Sequence, residues 1–157
     1  MEYIEALQEY DGKKKSVFLA GGITGCPDWQ AELAGLLKEL DIVLLNPRRS
    51  DFPKGDSLEA RKQIEWEHRQ LRNAGAISFW FPKETLCPIS LYELGAHSMT
   101  GKRLFIGVHP DYARRYDVEI QTSLARPDIE IVYSLEALAD KIEEWAKSEV
   151  AKDGKSG

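Results

Sequence analysis

Five short runs, at residues 17–20, 42–45, 77–81, 104–108 and 129–133, are mostly apolar and lack the alternation of a strand that faces water on one side. Continuous apolarity predicts strands covered on both faces, as in a parallel sheet. Between these runs the period lengthens to that of a helix. Residues 28–40 place Leu33, Leu36, Leu37 and Leu40 on one stripe, and Leu135, Leu138, Ile142 and Trp145 do the same near the C-terminus, behind Ser134 as N-cap. A further helix over about residues 58–74 sets Ile64 and Leu71 on one face, with Glu67 and His68 between them. Residues 1–15 and the tail at 149–157 carry no periodic apolar face. They are expected to fray, as an N-terminal extension and a disordered tail around one domain at residues 16–148.

Strand and helix alternate along the whole chain, which predicts an α/β fold: a flavodoxin-like, doubly wound, five-stranded parallel sheet in the order 2-1-3-4-5. In such a sheet ligands bind outside the carboxyl ends of the strands, where the order reverses. That rule nominates residues 21–29, 46–51, 82–90 and 109–116. Composition narrows the partners. The 157 residues are 43% hydrophobic, enough for one core without disulfide or metal staples. A net charge of −5 offers no electrostatic footprint for a nucleic-acid polymer or an anionic membrane. The apolar runs fall far short of the roughly 20 residues of a membrane helix and the N-terminus is acidic, so a cytoplasmic protein is expected. Cys26 and Cys87 read as reduced thiols, and His68, His97 and His109 form no metal-binding pair, so no metal site is expected.

Four constellations fall in or beside the nominated segments. Gly21-Gly22-Ile23-Thr24-Gly25 leaves the first strand. Its glycines let backbone approach a polar ligand or oxyanion, although a tight turn would use them too. Asp28 is either a helix N-cap or a site carboxylate, and Trp29 either a core anchor or an aromatic wall. Asn46-Pro47-Arg48-Arg49 ends the second strand, so that Asn46 and the arginines project over the same edge; Arg48 or Arg49 would clamp a phosphate or stack on a heterocycle unless Asp51 or Asp56 neutralises them. Gln63-Ile64-Glu65-Trp66-Glu67-His68 puts a carboxylate on a helix face that packs inward, where Glu67 is either ion-paired or, with Gln63, under a substrate sugar. Cys87-Pro88-Ile89-Ser90-Leu91-Tyr92-Glu93-Leu94-Gly95 has two readings. Ser90-x-x-Glu93 is the spacing of a capping box. Its position at the switch point, the free amides of a helix start and Gly95 as a place of close approach instead favour Glu93 as a group that faces a pocket.

Taken in order, 18–25, Asp28-Trp29, 46–49, 63–67 and 88–95 resemble the nucleoside 2-deoxyribosyltransferase-like family. The resemblance implies that Glu93, in the Glu-Leu-Gly motif, is the nucleophile, and that the Gly21 loop, with Gly22, Ile23 and Thr24, lies near the nucleobase or sugar. Relatives that hydrolyse nucleoside monophosphates use small hydroxyl residues before the glutamate, a stretch occupied here by Cys87 and Ser90. Transferases place an aspartate six residues before the nucleophile. This chain has Cys87 there, which leaves Glu67 and Asp28 as candidate proton donors. The implied reaction breaks the N-glycosidic bond of a 2-deoxyribonucleoside or its 5′-monophosphate through a covalent glycosyl-glutamate, then transfers the sugar to another base or to water, with no cofactor. A nucleotide-binding or sensor domain without turnover is the alternative. Family relatives are oligomers with shared pockets, so a dimer or higher homo-oligomer is expected, with Tyr112, Arg114, Arg115 and Tyr116 placed for the interface. Gly22, Trp29, Asn46, Glu67 and Glu93 are expected around one cleft.

Overall fold

The computed structural model describes residues 1–50 and 55–148, so Asp51 and the expected tail at 149–157 lie outside the described residues. In chain order the elements are β1 Glu2–Glu5, β2 Ser16–Gly21, α1 Trp29–Leu36, β3 Val43–Asn46, α2 Ser57–Asn73, β4 Ala76–Phe81, α3 Pro88–Ser98, β5 Arg103–Val108, α4 Arg115–Ala125, β6 Ile131–Val132 and α5 Leu135–Ser148. The strands form one parallel sheet in the order β1-β3-β2-β4-β5-β6. Each of the five apolar runs became a strand, and those five keep the expected 2-1-3-4-5 arrangement.

Helices cover both faces, which is why those strands read as apolar throughout. Phe18 and Ala20 of β2, Ile77, Phe79 and Phe81 of β4, and Leu104, Ile106 and Val108 of β5 pack with Trp66 and Leu71 of α2, Leu94 of α3 and Val118 of α4. The alternate residues, Val17, Leu19, Ala76, Trp80 and Phe105, pack with Trp29 and Leu33 of α1 and Leu138, Ile142 and Trp145 of α5. The chain goes from β2 through α1 to β3 on one side, then crosses back through α2 to β4 on the other. The carboxyl ends of β2 and β4 therefore open at the reversal of strand order.

Two expectations are corrected. The N-terminal segment does not fray. Glu2–Glu5 adds a sixth, edge strand beside β3, with Ile4 and Ala6 buried. Asn46 Nδ2 donates to Tyr3 Oη at 2.7 Å, and Trp66 Nε1 donates to the carbonyl of Gln8 at 2.8 Å. The buried face of α2 is also displaced from the expected one. Ile64 is exposed, and Gln63, Trp66, Gln70 and Leu71 face inward. His68 is exposed, while Glu67, next to the fully buried Trp66, is half-buried. Removing residues 1–9 would uncover the β3 edge and strip Trp66 of its acceptor. We expect the urea midpoint to fall by an amount equivalent to about 2–4 kcal/mol, on the scale of lost apolar burial plus an unmade buried hydrogen bond. An unchanged midpoint would return the segment to the status of a loose extension.

Candidate active site

At the carboxyl edge of β2 and β4 lies a cleft of about 350 Å³. Its walls are Phe18, Ala20 and residues 21–24 from β2 and its loop, Pro47 after β3, Glu67 of α2, Thr85 and Cys87 before α3, and Pro88, Ile89, Ser90 and Glu93 of α3. The glycine loop is held by close packing. A Cβ on Gly21 would lie 2.3 Å from the Trp80 carbonyl oxygen and 2.6 Å from the Trp29 ring. One on Gly22 would lie 2.8 Å from both Cys26 Sγ and Thr85 Cγ2. Trp29 Nε1 donates to the carbonyl of Gly22 at 2.8 Å, so the indole buttresses the loop from behind.

The start of α3 decides between the two readings of Glu93. Pro88 occupies the first helical position, where its fixed φ suits a helix and its missing N–H leaves nothing unsatisfied. That makes Cys87 the N-cap residue. It lies in the left-handed region at φ 49° and ψ 54°, with no side-chain cap hydrogen bond. The first helical bond runs from Leu91 N to Cys87 O at 3.0 Å. Ser90 is therefore the third helical residue rather than the cap, and Glu93 sits a turn too far along for a capping box. Among the described residues none donates a hydrogen bond to its carboxylate, which lines the cleft. Gly95 plays no part in close packing within the chain, since a Cβ there would meet nothing within 4 Å.

Burial, and secondly the charge of Glu67, push the Glu93 carboxyl up to about 8. Burial also raises Glu67, opposed by the hydrogen bond it accepts from Gln63 Nε2 at 2.7 Å. The same Gln63 nitrogen donates to the Pro47 carbonyl at 2.8 Å, fixing the clamp to the end of β3. Among the described residues no lysine, arginine or histidine lines the cleft. The two carboxyls titrate as a coupled pair, both raised by burial and Glu93 further by the charge of Glu67. The Gln63 bond favours ionised Glu67, and no described residue offers Glu93 a matching bond.

A family model described as nucleoside 2-deoxyribosyltransferase like matches residues 14–112, from just before β2 to just past β5, well over half of the chain. The chain belongs to the nucleoside 2-deoxyribosyltransferase-like family. No curated protein matches it. Against the residues that carried the resemblance, the structure gathers Gly21, Gly22, Ile23, Thr24, Glu67, Cys87, Ser90 and Glu93 around one cleft. Others stand behind it. Trp29 is buried on the far side of the glycine loop. Asp28 caps α1 through Ala31 N at 3.1 Å and lies 3.5 Å from Arg48 Nε. Arg48 also bonds Gln30 Oε1 and the Pro27 carbonyl, each at 3.0 Å. Arg49 pairs with Glu59 at 3.1 Å, while Asp56 caps α2. Asn46 is buried and bonded to Tyr3 and Arg48, and Gln63 stands behind the wall residue Glu67, to which it donates, without lining the cleft itself. In the segment at residues 109–117, Tyr112 is a core residue that packs on Phe81 and donates to the Leu86 carbonyl at 2.7 Å. The sequence reading missed Phe18, Ala20, Pro47, Thr85, Pro88 and Ile89 as wall residues. Alternation along β2 was the available signal for the first two.

The Glu93 titration makes a stability prediction. Its value in the fold lies above that of the unfolded chain, so the native protein holds the proton more tightly. The resulting stability is complete below the ordinary carboxylate range and is lost as pH rises toward about 8. Glu93→Gln, which carries no such proton and loses no cap, should melt a few degrees above wild type at about pH 8 and converge with it near pH 4. Parallel melting curves across that range would contradict the buried, proton-sharing carboxylate.

Proposed function

We propose that the protein cleaves the N-glycosidic bond of a 2-deoxyribonucleoside or its 5′-monophosphate, with Glu93 as nucleophile, and passes the sugar to a second base or to water. The observation that carries this reading is a Glu93 carboxylate, uncapped and unpaired among the described residues, facing a cleft to which none of them brings a cation, beside Glu67 and in a chain of this family. Ionised Glu93 attacks the anomeric carbon as the C–N bond breaks, and its negative charge offsets the positive charge that develops on the sugar. Without a 2-hydroxyl that cation forms more readily. The departing base needs a proton, which Glu67 supplies once the pair's single proton resides on it rather than on Glu93. Gln63 is then the positioning residue for that acid. Phe18, Ala20, Ile23, Pro47 and Ile89 give the base an apolar surround, and the Ile89 and Ser90 amides at the start of α3 offer donors to sugar hydroxyls or a phosphate.

Catalysis by a singly protonated pair gives a bell-shaped pH profile for kcat/KM. The alkaline limb falls near pH 8, where the second proton leaves, and the acid limb lies above the ordinary carboxylate range. Chromatography of free base from a panel of deoxynucleosides and their monophosphates, with and without an acceptor base, measures turnover. Glu93→Gln should reduce it by several orders of magnitude without loss of fold. Glu67→Gln should reduce it about 10²–10⁴-fold on ordinary bases and much less on a base that departs without protonation. Binding without cleavage by the wild-type protein would instead assign a sensor role.

We propose also that the protein is at least a dimer. Ile89 and Tyr92 of α3, Met99 at its C-cap, and Tyr116, Ile120 and Leu124 of α4 are exposed on helices that cover the same sheet face, and large apolar side chains gathered on one surface mark an interaction site. Tyr92 immediately precedes Glu93, so a second copy seated there would reach the rim of the cleft. Sedimentation should give a dimer or larger, and Tyr92→Glu with Ile120→Glu should yield monomers with reduced turnover. Fully active wild-type monomers would refute the proposal.

A further inference from the structure

The amide of Gln63 determines which form of Glu67 the cleft favours. Its Nε2 gives one hydrogen to the Pro47 carbonyl at 2.8 Å and the other to Glu67 Oε1 at 2.7 Å. Gln63 is itself buried on the inner face of α2, so the amide is held on both sides. Turning it over would set its oxygen against the Pro47 carbonyl and break both bonds, so Gln63 acts toward Glu67 as a donor. A donor fixed in this way stabilises a carboxylate and disfavours a carboxylic acid.

Glu67 is accordingly better set as a fixed negative charge than as an acid, although burial opposes that charge. Among the described residues neither it nor Glu93 has an ion pair, and both line a cleft whose other walls include Phe18, Ile23, Pro47 and Ile89. A half-buried carboxylate that is hydrogen-bonded but unpaired gains most from a ligand of opposite charge. Apolar walls leave less water to screen such a pair. An ordinary base enters neutral, and Glu67 must take up a proton before that base departs. A base that already carries positive charge makes no such demand.

We propose that the preferred substrates are 2-deoxynucleosides whose base carries a fixed positive charge, as N7-alkylated purines do, with Glu67 as the counter-ion of that base. This selectivity rests on the glycosidic cleavage assigned above to Glu93. In the first step a Glu93 oxygen bonds to the anomeric carbon as the C–N bond breaks. The electron pair of that bond neutralises the imidazolium ring, so a neutral alkylated base leaves and no proton moves. Water then attacks the anomeric carbon and gives a proton to Glu67 as the ester bond to Glu93 breaks. The cationic base also draws Glu93 toward its ionised, nucleophilic form, since an opposite charge nearby favours a carboxylate.

Binding separates recognition of the charge from the intrinsic lability of an alkylated nucleoside. Isothermal titration of Glu93→Gln, just below neutral pH where the alkylated base is cationic, should show 7-methyl-2′-deoxyguanosine bound at least about tenfold more tightly than 2′-deoxyguanosine. Adding Glu67→Gln should erase the difference while the melting temperature stays near that of the single variant. In the wild-type protein, with spontaneous base loss subtracted, KM should be lower for the alkylated nucleoside by a similar factor. Glu67→Gln alone should raise KM for that nucleoside more than it lowers kcat, and do the reverse for 2′-deoxyguanosine. Equal binding of the two nucleosides, or a preference that survives Glu67→Gln, would overturn the proposal, while cleavage of 2′-deoxyguanosine would leave the glycosidic reading standing. Failure of the wild-type protein to cleave either nucleoside would overturn both.

Discussion

Two carboxylates share a half-buried cleft to which no described residue brings a cation, and the chemistry proposed for this protein depends on that constraint. Glu67 and Glu93 come from different helices, α2 and α3, packed on the same face of the sheet. Neither can lose its proton without raising the cost for the other. An arginine between them would remove the conflict and, with it, the raised carboxyl that the proposed reaction uses to protonate a departing base. Arg48 and Arg49, which follow the wall residue Pro47, are instead tied to Gln30, Pro27 and Asp28 in one case and to Glu59 in the other. A cleft whose described charged residues are both carboxylates suits the proposed reaction, whose transition state develops positive charge on a sugar.

The scaffold holds this pair in place through contacts that do not touch the cleft. Trp29 and Trp80 leave no space for a side chain at Gly21, so the backbone itself forms the wall at that point. Gln63 joins Glu67 to the end of β3, and Trp66, fully buried one residue earlier, anchors the same turn of α2 against Phe18 and the N-terminal segment. Residues well behind the surface thus set where the carboxylates stand, which is how a rigid α/β layer usually supports a site at its strand ends.

How much of this was legible in the sequence depended on whether the informative residues were apolar. The five central strands stood out because sheets covered on both faces leave unbroken apolar runs. β1 did not, since Glu2-Tyr3-Ile4-Glu5 has one strand neighbour and mixed burial. The inward face of α2 was misjudged because Gln63 and Gln70 share it with Trp66, while the apolar Ile64 faces outward. For Glu93 the sequence held both answers. The Ser90-x-x-Glu93 spacing suggested a cap, whereas Pro88, a residue favoured at the first helical position, already argued for a start at Cys87. The glycine loop and Glu93 were found by position at the switch point. The placements of Trp29, Asp28, Asn46 and Arg48 were not, because each turns on which of several possible partners its side chain meets.

The central claim is that Glu93 becomes covalently attached to the sugar. Rapid acid quenching of the protein during turnover of a deoxynucleoside, followed by peptide mass spectrometry, tests it most directly. The account predicts the mass of one 2-deoxyribosyl group on the peptide at Glu93, appearing before free sugar accumulates and absent from Glu93→Gln. A 2-deoxyribosyl adduct on Glu67, or full turnover by Glu93→Gln, would contradict it.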